Sequence, residues 1–64
     1  MITVNSMQGA ASGTAEMELK GLSTDTKPTT TFSGANVGVN SLFFELDTGD
    51  LYYFTGEAWE KIGG

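Results

Sequence analysis

The chain has 64 residues and a formal net charge of −5, with eight acidic residues, three lysines, no cysteine and no histidine. A single domain of this length is only marginally stable, and because disulfides are excluded we expect contacts with other subunits to contribute. Three scattered lysines argue against binding to nucleic acid or to an anionic membrane surface. No apolar run is long enough to span a bilayer and no secretory signal opens the chain, which indicates synthesis in the cytoplasm.

Residues 1–5 predict a short strand, because Ile2 and Val4 alternate with Thr3. Residues 6–13 are small and rich in glycine, alanine and serine, which is typical of a flexible linker. We therefore divide the chain into an N-terminal strand with a flexible segment, residues 1–13, and a small β domain, residues 14–64.

Residues 14–22 fit two kinds of structure. Ala15, Met17 and Leu19 alternate with charged residues, which favours a strand, although the same residue types are also good helix formers. The glycines at positions 13 and 21 enclose only seven residues, a length that is normal for a strand and short for a helix. We expect a strand and keep the helix as the alternative.

Residues 23–41 predict turns and extended connections. Pro28 disfavours the helical conformation at Lys27. Phe32 is an isolated apolar anchor, and residues 33–41, with two glycines and two asparagines, predict a loop.

Three apolar runs between residues 41 and 62 predict an antiparallel β-meander, since short polar breaks that contain glycine separate them. The runs are residues 42–46, 50–54 and 58–62. The turn residues are Asp47, Thr48 and Gly49 in the first break, and Gly56 in the second.

The first break determines which side chains share a face. A two-residue loop would place Thr48 at a positive φ, which is costly for a β-branched residue. We therefore predict a three-residue loop with Gly49 in the left-handed conformation. Phe44 then lies opposite Tyr52, and Leu46 pairs with Asp50.

This register places apolar side chains on both faces of the sheet. One face would carry Leu42, Phe44, Leu46, Tyr52 and Phe54, and the other Phe43, Glu45, Leu51 and Tyr53. The N-terminal half can cover one face with Ile2, Val4, Met17 and Leu19, so we expect a second copy or a larger partner to cover the other. The residues predicted for the core or a subunit interface are Phe43, Phe44, Leu51, Tyr52, Tyr53, Phe54 and Trp59. In this register Phe44→Asp is expected to prevent folding, because an unpaired charge would be buried.

Asp47-Thr48-Gly49 matches the triplet of retroviral-type aspartic proteases, in which two chains each supply one aspartate. The chain is too short for the flap and supporting loop of such an enzyme, so a hairpin turn is the better interpretation. Glu45, Asp47 and Asp50 carry the oxygen ligands that calcium prefers, but their spacing does not match the twelve-residue calcium-binding loop, and solvated turn carboxylates are the better interpretation. We predict no catalytic residue, no metal site and no cofactor.

The aromatic residues of the meander also have the flat faces that a sugar-binding site needs. The chain has four phenylalanines, two tyrosines and one tryptophan, and a core of this size requires most of them. Packing is therefore the first interpretation, and a carbohydrate site at Trp59 is the alternative.

Three segments of the chain form a recognisable pattern. They are STDTKPT at residues 23–29, FFELDTG at residues 43–49, and LYYF followed by GEAW at residues 51–54 and 56–59. Together they resemble a family of very short proteins encoded among the structural genes of tailed bacteriophages and prophages. The resemblance covers the chain from Gly21 on, and Asp50 stands where the hairpin of that family often has lysine.

The resemblance implies a virion structural or assembly protein, similar to head decoration or fibre proteins, that forms a symmetric oligomer and contacts other virion proteins. It carries over no catalytic residue, and its location would be the virion, or the host cytoplasm before assembly. A small carbohydrate- or host-surface-binding module of the tail-fibre type is the alternative function. The fold expected is all-β, a small antiparallel sheet of four or five strands with the C-terminal meander as its core.

Overall fold

The computed structural model describes residues 1–9 and 13–63, and this part of the chain is all-β. Its seven strands form one mixed sheet. In chain order they are β1 (Thr3–Gln8), β2 (Thr14–Gly21), β3 (Thr31–Phe32), β4 (Ala35–Val37), β5 (Leu42–Glu45), β6 (Leu51–Phe54) and β7 (Trp59–Lys61). The all-β class and the strand predicted over residues 14–22 are confirmed, whereas the prediction of a purely antiparallel sheet was wrong. The described residues contain no helix that is long and apolar enough to cross a membrane.

β2 organises the sheet, because three other strands pair with it. β1 lies antiparallel along one edge. The opposite edge is shared by β4, which pairs in parallel with Thr14 and Ala15, and by β5, which pairs in parallel with residues 18–21. Parallel strands require a long crossover connection, here residues 22–41, whereas the sequence signals used for prediction identify hairpins.

β1 extends further than predicted, to Gln8, so that part of the predicted flexible segment is a strand. Val4 lies opposite Leu19 and Ser6 opposite Glu18, which leaves Asn5 as a bulge. Residues 10–12 of the predicted flexible segment lie outside the described residues.

Residues 31–37 form a small hairpin, whereas an isolated anchor and a loop were predicted there. Phe32 pairs with Ala35, and the two residues between them, Ser33 and Gly34, both have positive φ. This is the conformation of the tight turn that matches the natural twist of a hairpin.

The connection from β4 to β5 continues the hydrogen bonding along β2. The N–H group of Gly38 donates to the carbonyl of Ala15 at 2.7 Å, and the N–H group of Met17 donates to the hydroxyl of Ser41 at 2.9 Å. A Cβ atom at position 38 would lie 2.9 Å from the Ala15 carbonyl oxygen. Glycine is therefore required for the chain to lie this close to β2.

β5 pairs antiparallel with β6, and β6 with β7, but the loop between β5 and β6 is one residue longer than predicted. The carbonyl of Glu45 accepts from the N–H group of Gly49, and the N–H group of Glu45 donates to the carbonyl of Asp50, both at 2.8 Å. The loop therefore comprises residues 46–49. Gly49 has a φ of 79°, the left-handed conformation that was predicted.

The extra loop residue exchanges the predicted faces of β5, because side chains alternate along a strand. Phe43, and not Phe44, lies opposite Tyr52. Phe43 is fully buried, whereas Phe44 is 40% exposed. The expectation that Phe44→Asp prevents folding therefore rested on the wrong register.

The core lies on one face of the sheet, which we call the inner face. Its buried apolar residues are Ala15, Met17, Leu19, Ala35, Val37, Phe43 and Phe54. The connection formed by residues 22–30 crosses this face, with Lys27 on Glu45 and the carbonyl of Pro28 on Trp59. This connection therefore covers the inner face. The N-terminal half, which was predicted to supply the cover through Ile2, Val4, Met17 and Leu19, instead contributes β1 and β2 to the sheet itself.

Candidate binding surface

Residues 23–29 and residues 43–49 meet at the end of β2. The backbone N–H group and the hydroxyl of Ser23 donate to the two carboxylate oxygens of Asp47 at 2.9 and 2.5 Å. Asp25 accepts from the N–H group of Leu22 at 2.8 Å and lies 3.0 Å from the Met1 amine. These contacts hold residues 22–25 against the β5–β6 loop and the Met1 amine, so both segments have a structural role.

Lys27 and Glu45 form an ion pair next to this junction. The ammonium nitrogen of Lys27 is 2.5 Å from one carboxylate oxygen of Glu45, and the Thr48 hydroxyl donates to the other at 2.7 Å. The same nitrogen lies 4.8 Å from the ring centre of Phe43 and 4.3 Å from that of Tyr52, where the negative ring faces attract a cation. The side chain of Glu45 is only 4% exposed, so its charge depends on these contacts.

Hydrogen bonds hold three carboxyl groups below their ordinary pKa. The pKa of Glu45 is lowered by the hydrogen bond from Lys27 and then by that from Thr48. The pKa of Asp47 is lowered by the hydroxyl and the backbone N–H group of Ser23, and the pKa of Asp25 first by the backbone of Leu22. All three groups are therefore ionised acceptors at neutral pH.

The three carboxylates that were weighed as calcium ligands have separate partners. Glu45 is held by Lys27 and Asp47 by Ser23, while Asp50 lies 3.6 Å from the ammonium group of Lys61. Within residues 1–9 and 13–63, no group of three or more candidate ligands is placed to hold a metal ion, and no pocket is present.

The seven residues predicted for the core or a subunit interface divide between the two faces of the sheet. Four of them lie on the inner face: Phe43, Tyr52, Phe54 and Trp59. Phe44, Leu51 and Tyr53 lie on the opposite side, which we call the outer face.

Trp59 is engaged in packing. Its ring lies edge-on to Phe43, with centroids 6.0 Å apart, and tilted on Phe54 at 5.1 Å. Its indole N–H group donates to the carbonyl of Pro28 at 2.8 Å. Both the ring and the polar group that a sugar would use already have partners within the fold.

The outer face of β5 and β6 carries four neighbouring apolar side chains, which we call the outer patch. Leu42 lies opposite Tyr53, and Phe44 lies opposite Leu51. Phe44 is 40% and Tyr53 36% exposed, and the two leucines are half-buried. Contiguous apolar side chains on a surface commonly mark a site of protein contact.

Charged residues border the outer patch on both sides. On β2, Glu18 lies beside Leu42 and Lys20 beside Phe44. On β7, Glu60 lies beside Tyr53. None of these three charges forms an ion pair with another residue of the described chain.

Leu42 was predicted to lie on an apolar face of the sheet but not among the core or interface residues, and no surface role was predicted for Glu18 or Lys20. The alternation in β2 shows that Glu18 and Lys20 share a face, and this signal was available. Their position next to the patch depends on the parallel pairing of β2 with β5, which has no local sequence signature.

The chain matches no known protein family, no curated protein and no solved structure. Its function is therefore inferred from the geometry of the chain itself.

Proposed function

We propose that this protein is a structural or assembly subunit of a bacteriophage particle and that it acts by binding other protein subunits through the outer patch. The observation that carries the proposal is the patch itself, where Leu42, Phe44, Leu51 and Tyr53 form one apolar surface on an open sheet face. The resemblance of residues 21–59 to short phage structural proteins supplies the biological context.

Burial of this surface would stabilise a chain that is small for an independent domain. Removal of apolar surface from water contributes about 25 cal/mol per Å². A 64-residue chain gains relatively little from its own core, because small domains bury a smaller fraction of their surface. Contact with another subunit therefore supplies stability that the inner face alone provides only in part.

The polar groups of the inner face support this proposal, because their ion pairs and hydrogen bonds are formed with other residues of the same chain. Lys27 and Glu45 neutralise each other, and Asp47 is occupied by Ser23. The two aromatic residues that remain most exposed, Phe44 and Tyr53, lie in the patch. Because Trp59 is engaged in packing, the geometry favours subunit contact over carbohydrate stacking.

Sedimentation velocity from low to high micromolar concentration tests the subunit contact. We expect the wild-type chain to self-associate or to form a stable complex with another particle protein, and the double variant Phe44→Thr, Tyr53→Thr to remain folded but lose this association. Val39→Thr is the matched control, because Val39 is 55% exposed and lies outside the patch. Equal association of the double variant and the wild type would contradict the proposal.

The particle assignment has a separate test. Mass spectrometry of purified particles from the phage that encodes the chain should detect it at a fixed ratio to the major particle proteins. Its absence from complete particles and from assembly intermediates would contradict the assignment.

A further inference from the structure

We infer that the outer patch is covered by a second copy of this chain, packed face to face about a two-fold axis that runs across the strands. This inference rests on the proposed function, because it identifies the partner at the same surface. It is carried by the order of apolar and charged residues across the outer face.

The outer face presents two parallel rows of side chains that cross β2, β5, β6 and the end of the chain. One row is Glu18, Leu42, Tyr53 and Glu60. The neighbouring row is Lys20, Phe44, Leu51 and Ile62, with the N–H group of Ile62 donating to the carbonyl of Leu51. Both rows have an apolar centre, and they differ in the sign of the charge that β2 contributes.

A two-fold axis across the strands exchanges the two rows between the copies. Lys20 of each copy then faces Glu18 of the other, while Phe44 faces Leu42 and Leu51 faces Tyr53. Packed sheets are about 10 Å apart, a gap that the aromatic side chains fill and that a lysine can cross. Every such dimer would contain two lysine–glutamate pairs at its edge.

The alternative two-fold axis, parallel to the strands, keeps each row opposite itself. Glu18 of one copy would then face Glu60 of the other, twice in each dimer. Like charges placed opposite each other are strongly unfavourable across an interface. The charge pattern therefore selects the axis across the strands.

The availability of Lys20 supports the same arrangement. Lys27 is paired with Glu45, and Lys61 lies near Asp50. Among the residues that the structure describes, Lys20 forms no ion pair, although Glu18 lies two positions away on the same face. A carboxylate of a second copy would give Lys20 the ionic partner that it lacks within the described chain.

Charge reversal tests the inference, because the two-fold axis makes a distinctive prediction for the double variant. Sedimentation velocity at low salt should show that Lys20→Glu and Glu18→Lys each weaken self-association on the order of tenfold or more, since two attractive pairs become repulsive. The double variant Lys20→Glu, Glu18→Lys should recover association close to the wild type, because the pairs are restored with exchanged signs. Circular dichroism verifies that all variants fold.

Two controls separate local pairing from total charge. Lys61→Glu makes the same change in net charge as Lys20→Glu, but Lys61 lies on the inner face opposite Tyr52. Glu57→Lys makes the same change in net charge as Glu18→Lys, but Glu57 lies in the turn before β7. Both controls should associate as the wild type does, and equal weakening by the controls would overturn the inference.

The remaining outcomes distinguish this inference from the proposed function. A wild type that self-associates while both single reversals have no effect would overturn the two-fold arrangement and leave subunit contact intact. A wild-type chain that stays monomeric at high micromolar concentration would overturn this inference, and the proposed function would stand only if the chain still binds another particle protein through the patch. Weakening by Glu18→Lys with strengthening by Lys20→Glu would overturn it in favour of a basic partner surface.

Discussion

Phe43 and Phe44 are neighbours in the chain and have opposite environments. Phe43 is fully buried on the inner face, in contact with Trp59 and beneath the ammonium group of Lys27. Phe44 is 40% exposed on the outer face, beside Lys20 of the adjacent strand. The comparison shows that β5 buries one side in the core and leaves the other side partly exposed to solvent.

The two faces differ as much in their polar groups as in their apolar ones. On the inner side, Glu45 and Ser41 are buried and both are hydrogen-bonded, and no buried side-chain polar atom of the described residues lacks a partner. On the outer side, Glu18 and Lys20 have no ionic partner within the described chain. The inner face therefore satisfies its polar groups within the fold, whereas these two charges of the outer face are left to solvent or, in the proposed dimer, to a second copy.

The largest difference is expected for truncation of the two phenylalanines. Phe43→Ala should destabilise the chain by about 3–5 kcal/mol, because it leaves a cavity among fully buried neighbours. This loss approaches the entire stability of a small domain, so the variant should be largely unfolded. Urea unfolding followed by circular dichroism at low protein concentration measures the effect.

Phe44→Ala is the matched control for this comparison. Its side chain is already partly in water, so we expect a loss of about 1 kcal/mol or less. The same unfolding measurement would break the comparison if both variants lost equal stability, because equal losses would mean that the register of β5 is wrong.

Lys27 and Lys61 both lie on the inner side, but Lys27 is mostly buried and Lys61 is exposed. Lys27→Met should lower the urea midpoint clearly, because the carboxylate of Glu45 would lose the partner that compensates its burial. Lys61→Met should change the midpoint little, since Lys61 is 43% exposed and 3.6 Å from Asp50. The double variant Lys27→Met, Glu45→Leu should be more stable than Lys27→Met alone, and a double variant that is less stable would contradict this account of the pair.

The comparison of the faces also shows which features the sequence could predict. Alternation in residues 14–21 and the positive φ of Gly49 follow from local chemistry, and both were predicted correctly. The register of β5 was not, because a four-residue loop with Glu45 bonded to Gly49 and Asp50 is as compatible with the sequence as a three-residue loop. In the observed register Glu45 also contacts Lys27, which is 18 positions away in the chain, and a contact at this separation leaves no local sequence pattern.

The candidate surface was predictable only in its composition. Phe44, Leu51 and Tyr53 were identified as core or interface residues, but their separation from Phe43 and Phe54 required the correct register. The border formed by Glu18 and Lys20 required the parallel pairing of β2 with β5. The first feature depends on the length of a hairpin loop that the sequence leaves open. The second depends on pairing between strands that are distant in the chain, which local sequence patterns do not encode.

A smaller effect is expected at Ser41, which joins β2 to the β4–β5 connection on the inner side. Ser41→Ala should cost about 1–3 kcal/mol, because the N–H group of Met17 loses its acceptor in a buried position. Ser6→Ala is the control, since Ser6 lies opposite Glu18 on the outer side and its hydroxyl forms no hydrogen bond within the described residues. Urea midpoints of the two alanine variants should therefore differ, and indistinguishable midpoints would argue against the hydroxyl as a structural link.

The smallest effect is a dependence of stability on acidic pH. The pKa values of Asp25, Glu45 and Asp47 are lowered in the folded chain, so in the acidic range the unfolded chain binds more protons than the folded chain. The stability that these three carboxylates contribute is therefore complete above their ordinary pKa values, 3.8 for aspartate and 4.5 for glutamate. This contribution is lost as the pH falls through the lowered pKa values. Urea midpoints measured from pH 6 downward should decrease across this window.

Ser23→Ala should make this decrease smaller, because Asp47 loses the donor that contributes most to its lowered pKa. Thr24→Ala, at the exposed neighbouring position, should leave the decrease unchanged. The same pH profile for Ser23→Ala and the wild type would show that the junction between residues 22–25 and the β5–β6 loop does not form in solution.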